Sequence, residues 1–234
     1  MTNVSYRPGE GAAFAPHIDA RQQLNSILRH AVLRDLERLA TVLADPVTAV
    51  RRAALIGHVT FLADQLRRHW RLQDELIWPR AVARDPELAG PADEVRRDHQ
   101  AADSACADVL AAARTWDRAA DADHRLLVRA AVTEFASVLP SVFGQEAMTS
   151  TFAFAALTSD DRAAIERGAV RRARPTTLAR ELFWLLDELD HAQASVLLAR
   201  IRPLRVWVLR NGFSGGYNRG SYLMWVGGGL GAQV

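Results

Sequence analysis

The chain has 234 residues, of which 49% are hydrophobic, so it can form one large domain or one domain with an appendage. Its formal net charge is +2 and its basic residues are all arginine, so no charge block marks a nucleic-acid-binding surface. One cysteine, Cys106, excludes a disulfide framework and argues against a cysteine-type zinc site. Residues 1–16 lack an apolar signal segment, and no apolar run reaches about 18 residues. The sequence therefore predicts a cytoplasmic protein with no nucleic-acid or membrane partner. Its composition is typical of a GC-rich bacterial gene.

Two long amphipathic helices are predicted after an N-terminal loop over residues 1–16. The first covers residues 17–44 and ends at Asp45-Pro46. Its apolar positions recur every three or four residues: Leu24, Leu28, Val32, Leu36, Leu39 and Leu43. The second covers residues 47–78 and is predicted to stop at Pro79. Its inner positions are Leu55, Val59, Leu62, Leu66, His69, Gln73 and Ile77.

Two more long helices follow a break marked by Pro86, Gly90 and Pro91. One covers residues 92–116, with the inner positions Val95, His99, Ala102, Cys106, Val109 and Ala113. The other covers residues 121–157, with the inner positions Val128, Val132, Phe135, Leu139, Val142 and Glu146. Pro140 is expected to kink this helix. Four such helices with short links predict an all-α, up-down-up-down four-helix bundle over residues 17–157.

The remaining residues, 158–234, are predicted to pack on the bundle rather than to form a second domain. Thr158-Ser159-Asp160-Asp161 caps a short helix. Two short helices are expected over residues 176–188 and 190–202. From Pro203 onwards we expect an aromatic, glycine-rich tail.

Four polar side chains fall on the inner faces of three of the predicted bundle helices. His69 and Gln73 are on the second helix, His99 is on the third and Glu146 is on the fourth, each within roughly 40° of the apolar stripe at 100° per residue. Buried polar groups need partners, so these four are expected to meet in one layer of the bundle. Bundle interiors are also where metal and cofactor sites are built from facing helices.

Several motifs, in order along the chain, resemble the hemerythrin-like (HHE cation-binding) family. The segment LRRHWRLQDELIWP at residues 66–79 is similar to the family's second-helix motif, and Arg97-Asp98-His99 is similar to its third-helix ligand. Residues 28–39 are similar to the first helix, and the run from Val142 through Glu146 to residue 161 is similar to the fourth. The likeness continues to phrases near Trp184 and residues 203–205, so it covers nearly the whole chain.

The resemblance implies a non-heme di-iron centre held by one His from each of helices one and three, and by a His-x-x-x-Glu pair from each of helices two and four. This chain departs from that set. Gln73 stands where Glu is expected and Val142 stands where His is expected. His69, His99 and Glu146 remain, with Asp74 as a possible fourth ligand. Two His and one carboxylate would suit a single Fe(II).

The first helix offers Arg29 rather than a histidine to the bundle interior. Arg29 lies about 75° from the mean of its apolar stripe and His30 about 170° away, at 100° per residue. We predict that Arg29 pairs with Glu146 and replaces the charge of the metal. Cys106 is interpreted as a core residue, and Asp74 and Glu75 as solvated. The other histidines are interpreted as surface or capping residues: His17, His30, His58, His124 and His191.

Three functions stay open from the sequence. The favoured interpretation is a family member with a degenerate metal site and no cofactor, whose bundle cavity binds a small apolar organic molecule and transforms it by acid–base catalysis in secondary metabolism. Its candidate catalytic residues are Arg29, His69, His99 and Glu146. The alternative is a mono- or di-iron protein for O₂, peroxide or nitric-oxide chemistry, with His69, His99, Glu146 and Asp74 as ligands. A non-catalytic binding protein is the third.

Overall fold

The computed structural model describes residues 20–172, 175–199 and 214–226, and every regular element in these ranges is a helix. Four long helices form the predicted bundle: α1 (Ala20–Val42), α2 (Ala49–Leu72), α4 (Ala89–Ala119) and α5 (Ala122–Ala156). Helix α5 packs between α1 and α4, and α2 packs on α4. The predicted all-α helical bundle is thereby confirmed. The predicted loop at residues 1–16, and His17, lie outside the described residues.

Local sequence signals set the ends of these helices. The Thr48 hydroxyl accepts from the backbone N–H of Arg51 at the start of α2, and the Asp121 carboxylate accepts from that of His124 at the start of α5. Between α4 and α5 the chain turns at Ala120, which has a left-handed φ of 59°. The predicted apolar stripes then meet in one core, whose fully buried members include Leu36, Leu39, Leu43, Leu55, Leu66, Val132 and Leu139. Cys106 lies in this core, as predicted.

The second helix does not stop at Pro79 as the sequence suggested. A π-helical segment, Gln73–Ile77, follows α2 and leads into α3 (Trp78–Arg84), with Pro79 in the first turn, where a missing N–H is tolerated. In an unbroken α-helix Trp78 would lie about 180° from His69, nine residues away at 100° each. Trp78 is nevertheless only 1% exposed. The wider π turn therefore rephases the helix, so that the residues on both sides of it face the core.

The predicted break before the third bundle helix is also shorter than expected. A 3₁₀ turn, Pro86–Leu88, leads directly into α4, which begins at Ala89 rather than at residue 92. Gly90 and Pro91 lie in its first turn, where proline removes no helical hydrogen bond. Pro140, by contrast, lies inside α5, which continues through it.

Four short helices follow the bundle: α6 (Ser159–Arg172), α7 (Pro175–Leu186), α8 (His191–Ala199) and α9 (Ser214–Trp225). The predicted aromatic, glycine-rich tail from Pro203 contains a helix that the sequence did not indicate, α9, which forms despite three glycines. Helix α9 packs on α2 and α7, and Met224 is buried in the bundle core. The Arg51 guanidinium donates to the Met224 carbonyl at 3.0 Å. Tertiary packing here outweighs the low helix propensity of glycine. Residues 203–213 and 227–234 lie outside the described ranges.

A buried carboxylate, Asp35, joins these C-terminal helices to the bundle. It is 1% exposed and accepts from His58 Nε2 at 2.7 Å, Trp184 Nε1 at 2.9 Å and Arg34 Nε at 2.8 Å. Burial would raise the pKa of Asp35, but His58 and Arg34 lower it below its ordinary value. The interpretation of His58 as a surface residue was therefore wrong, because its ring is buried and hydrogen-bonded to the Asp35 carboxylate. Asp35 itself lies only about 50° from the mean of its helix's stripe at 100° per residue.

Helix α5 is long and apolar enough to cross a membrane by length and composition alone, and it is the single helix of the described residues that meets this criterion. A core helix of a soluble protein meets the same criterion. Here 28% of the apolar window is buried inside the structure. The expectation of a cytoplasmic protein stays a prediction.

Candidate functional site

The centre of the site is Glu146, which is 0% exposed and reaches into the bundle from α5. Three donors, from α1, α2 and the π-helical segment, converge on its Oε1 atom. Arg29 Nη2 of α1 lies at 2.6 Å, His69 Nε2 of α2 at 2.9 Å, and Gln73 Nε2 at 2.5 Å. Because His69 and Gln73 approach the same oxygen, their nitrogens also lie 2.9 Å apart. One carboxylate oxygen is thus saturated by a cation, an imidazole and an amide.

The other carboxylate oxygen faces His99 of α4, which is 3% exposed. His99 Nε2 lies 3.7 Å from Glu146 Oε2, beyond hydrogen-bond distance, and His99 Nδ1 lies 3.5 Å from Asp74 Oδ1. The imidazole stacks on Trp70, with ring centroids 5.4 Å apart. Asp74 belongs to the π-helical segment, whose wider turn brings this carboxylate beside His99. We call Arg29, His69, Gln73, His99 and Glu146 the polar layer.

Arg29, not His30, faces the bundle interior, as the helical phase predicted. Its side chain is 14% exposed, whereas His30 is exposed on the other side of α1. The Arg29 guanidinium also lies over the ring of Phe143, 5.7 Å from its centroid. The long stem of arginine lets the charge reach inward from the flank of the apolar stripe.

The charges of the polar layer fix the protonation of its carboxylate. Burial alone would raise the pKa of Glu146, but His69, His99 and Arg29 hold it well below its ordinary value, so Glu146 is ionised at neutral pH. Burial alone would lower the pKa of His99, but the Asp74 and Glu146 carboxylates outweigh it and raise that pKa. Glu146 is therefore an acceptor, and the two carboxylates beside His99 favour the protonated form of its ring.

Several buried polar atoms in and beside this layer lack a hydrogen-bond partner among the described residues. They include Gln73 Oε1, Asp74 Oδ1, Glu146 Oε2 and both ring nitrogens of His99. Buried polar atoms in native proteins almost always have a partner, which is protein, water, ion or ligand. These unpartnered atoms make the layer a candidate site for water or another small polar group.

The residues of this layer do not fit a di-iron centre. Glu146 Oε1 is engaged by the Arg29 cation, which would repel a dication at the same oxygen. Gln73 offers an amide where the resemblance implies a carboxylate, and Val142 is apolar where it implies a histidine. Across residues 20–172, 175–199 and 214–226, no three His, Cys, Asp or Glu side chains are grouped so that they could hold a metal ion.

The sequence predicted most of this geometry. His69, His99 and Glu146 share one layer, and Arg29 joins them through Glu146. Asp74 was interpreted as solvated, yet its Oδ1 atom is buried beside His99 because of the π-helical segment. The helical pattern did not predict the inward position of Asp74, because that prediction assumed a constant rotation of 100° per residue. The roles of these residues in catalysis or metal binding stay predictions.

Comparison with known proteins identifies the family. The model of the hemerythrin HHE cation-binding domain matches residues 15–141, which is more than half of the chain. The comparisons with curated proteins and with solved structures found no match. The matched range covers α1 to α4 and most of α5, so it includes Arg29, His69 and His99 and ends shortly before Glu146. This chain belongs to the hemerythrin HHE cation-binding domain family, a family of metal-binding helical proteins.

Proposed function

We propose that the polar layer binds a small, largely apolar organic molecule and transfers a proton to or from it, without iron. The observation that carries the proposal is the 2.6 Å contact between the Arg29 guanidinium and Glu146 Oε1. The guanidinium provides the positive charge that a buried carboxylate needs, from within the protein itself. The layer then has no requirement for a metal cation to neutralise Glu146.

His99 is the proposed acid–base residue. It is buried, it is stacked on Trp70, and it faces the unpartnered oxygen of Glu146. Asp74 Oδ1 lies 3.5 Å from its Nδ1 atom, close to the position from which a carboxylate orients a catalytic histidine. The other members of the polar layer hold the charges in place around His99: Glu146, Arg29, His69 and Gln73. The rings of Trp70 and Phe143 offer apolar surface beside them.

Metal analysis of protein purified from iron-supplemented cells tests the first half of the proposal. We expect iron, zinc and manganese far below one ion per chain, and no visible absorption band. One or two irons per chain with an oxo-bridge band would contradict the proposal. The same preparation should bind small cyclic organic molecules, as measured by isothermal titration calorimetry. The His99→Gln variant should weaken that binding, and the exposed control His30→Ala should not.

Family membership favours one other candidate, a non-heme iron protein acting on O₂, peroxide or nitric oxide. His69, His99 and Glu146 lie in one layer and are the residue types of a two-histidine, one-carboxylate set, although they are not grouped closely enough to hold a metal ion as they stand. The Arg29 cation on the same carboxylate argues against it. The iron content of the purified chain separates the two candidates directly.

A further inference from the structure

The width of the gap between His99 and Glu146 restricts what can bind there. His99 Nε2 and Glu146 Oε2 lie 3.7 Å apart, too far for a direct hydrogen bond, and neither has a partner among the described residues. A single oxygen atom placed about 2.8 Å from each would subtend an angle of about 80°. An oxygen at that position would lie at ordinary hydrogen-bond distance from both atoms.

The chemistry of the two atoms restricts the bridging group further. Glu146 is paired with the Arg29 guanidinium through Oε1, at 2.6 Å, so the carboxylate carries its charge and Oε2 can only accept; the bound group must donate to it. His99 Nδ1 lies nearest to Asp74 Oδ1, at 3.5 Å, so Nε2 is the ring nitrogen that can meet the same bound group. A carbonyl or an ether has no proton to donate to Glu146, and a carboxylate would be repelled by it. Carboxylates face both ring nitrogens of His99, which favours a ring with a proton on each nitrogen. An alcohol or phenol hydroxyl then donates its proton to Glu146 and accepts from Nε2–H with a lone pair.

We infer that the ligand of the polar layer carries an alcohol or phenol hydroxyl, which binds between His99 Nε2 and Glu146 Oε2. This inference rests on the proposed function. Gln73 Oε1, a third unpartnered atom of the layer, is likewise an acceptor, which again favours a ligand that brings donors. The hydroxyl oxygen is then the atom closest to His99 and the one at which a proton is given or taken. A bridging water has the same hydrogen-bonding chemistry and is distinguished by experiment.

Matched pairs of small molecules test the hydroxyl. The full chain is titrated calorimetrically with phenol and with anisole, and with cyclohexanol and its methyl ether. Each pair differs in the single O–H donor. We expect the hydroxyl compound of at least one pair to bind about ten-fold more tightly or better, because its ether leaves Glu146 Oε2 unpaired. The His99→Gln variant should reduce this preference, and His30→Ala should keep it.

The outcomes separate the two proposals. Equal binding of hydroxyl compounds and ethers would overturn the hydroxyl inference and leave the proposed function standing. No binding by any of the four probes would overturn both, and would assign the gap to water. A preference that persists unchanged in His99→Gln, in protein with native circular dichroism, would place the hydroxyl elsewhere and also overturn the inference. The comparison of probes on the unmodified chain decides even where the variant fails to fold.

Discussion

Replacing Arg29 by leucine removes the only arginine that contacts Glu146 in the described structure, and this should destabilise the protein at pH 7. Removing one partner of a buried ion pair costs about 3–5 kcal/mol, since the other charge is left in the interior. Two features reduce the expected loss. His69 and Gln73 still donate to Glu146 Oε1, and Arg29 is itself 14% exposed. We therefore expect Arg29→Leu to lower the free energy of unfolding by about 2–3 kcal/mol.

A double-mutant cycle separates the pair from the loss of arginine packing. Glu146→Leu removes the carboxylate, and the double variant Arg29→Leu/Glu146→Leu replaces the pair by apolar side chains. The double variant should recover much of the loss, with a coupling energy of about 1–3 kcal/mol. The assay is urea unfolding followed in parallel by circular dichroism and tryptophan fluorescence, so that two-state behaviour is checked in every variant.

His30→Ala is the matched control, since His30 is the exposed neighbour of Arg29 on the same helix. Its effect should stay within about 0.5 kcal/mol, as for most surface substitutions. A damaging His30→Ala together with a silent Arg29→Leu would refute the reasoning. Helix α1 would then be rotated, and His30 would be the histidine that faces Glu146.

Three further predictions concern separate parts of the structure. The stabilisation from Asp35 should be fully present above about pH 4 and should be lost as the pH falls through its lowered pKa. Urea unfolding at several pH values should show that wild type exceeds Asp35→Asn by about 1.5–3 kcal/mol in free energy of unfolding, and that this difference shrinks on acidification. A constant difference down to pH 2 would contradict this. Burial raises the pKa of Cys106 to about 11, so iodoacetamide at pH 8 should label it only as urea unfolds the chain; rapid labelling of folded protein, seen by mass spectrometry, would be inconsistent with its burial. Gln73→Glu combined with Val142→His restores two ligand types of the family and should raise the iron bound per chain, as read by elemental analysis; unchanged iron content would mean that the helix positions no longer match those of the family.

The sequence predicted the bundle and most of the polar layer because both depend on helical phase. Apolar residues every three or four positions determined the four long helices, and the same rotation distinguished Arg29 from His30. Glu146, His69 and His99 followed, since each lies on the stripe of its own helix. These are local signals, readable from a few turns of one helix.

The features that the sequence did not predict depend on contacts between distant residues or on a change in helical rotation. Asp35 is ambiguous in its own helix, and one of its partners, Trp184, lies 149 positions further along the chain. Helix α9 has poor intrinsic propensity and is stabilised by packing of Met224 in the core. The inward position of Asp74 depends on the π-helical segment, which an assumption of constant rotation excludes.

That segment, Gln73–Ile77, acts as a one-residue insertion absorbed by a single helix. Removing one of its residues would leave an ordinary α-turn. The core-facing residues before the segment, such as Leu66, and those after it, such as Trp78, would still face the core. The frame of the bundle would survive such a deletion, while the side chains presented to Glu146 and His99 would be exchanged. Changes of length at this point therefore alter the chemistry of the site without a new fold, a route of divergence that substitutions in the rigid core do not offer.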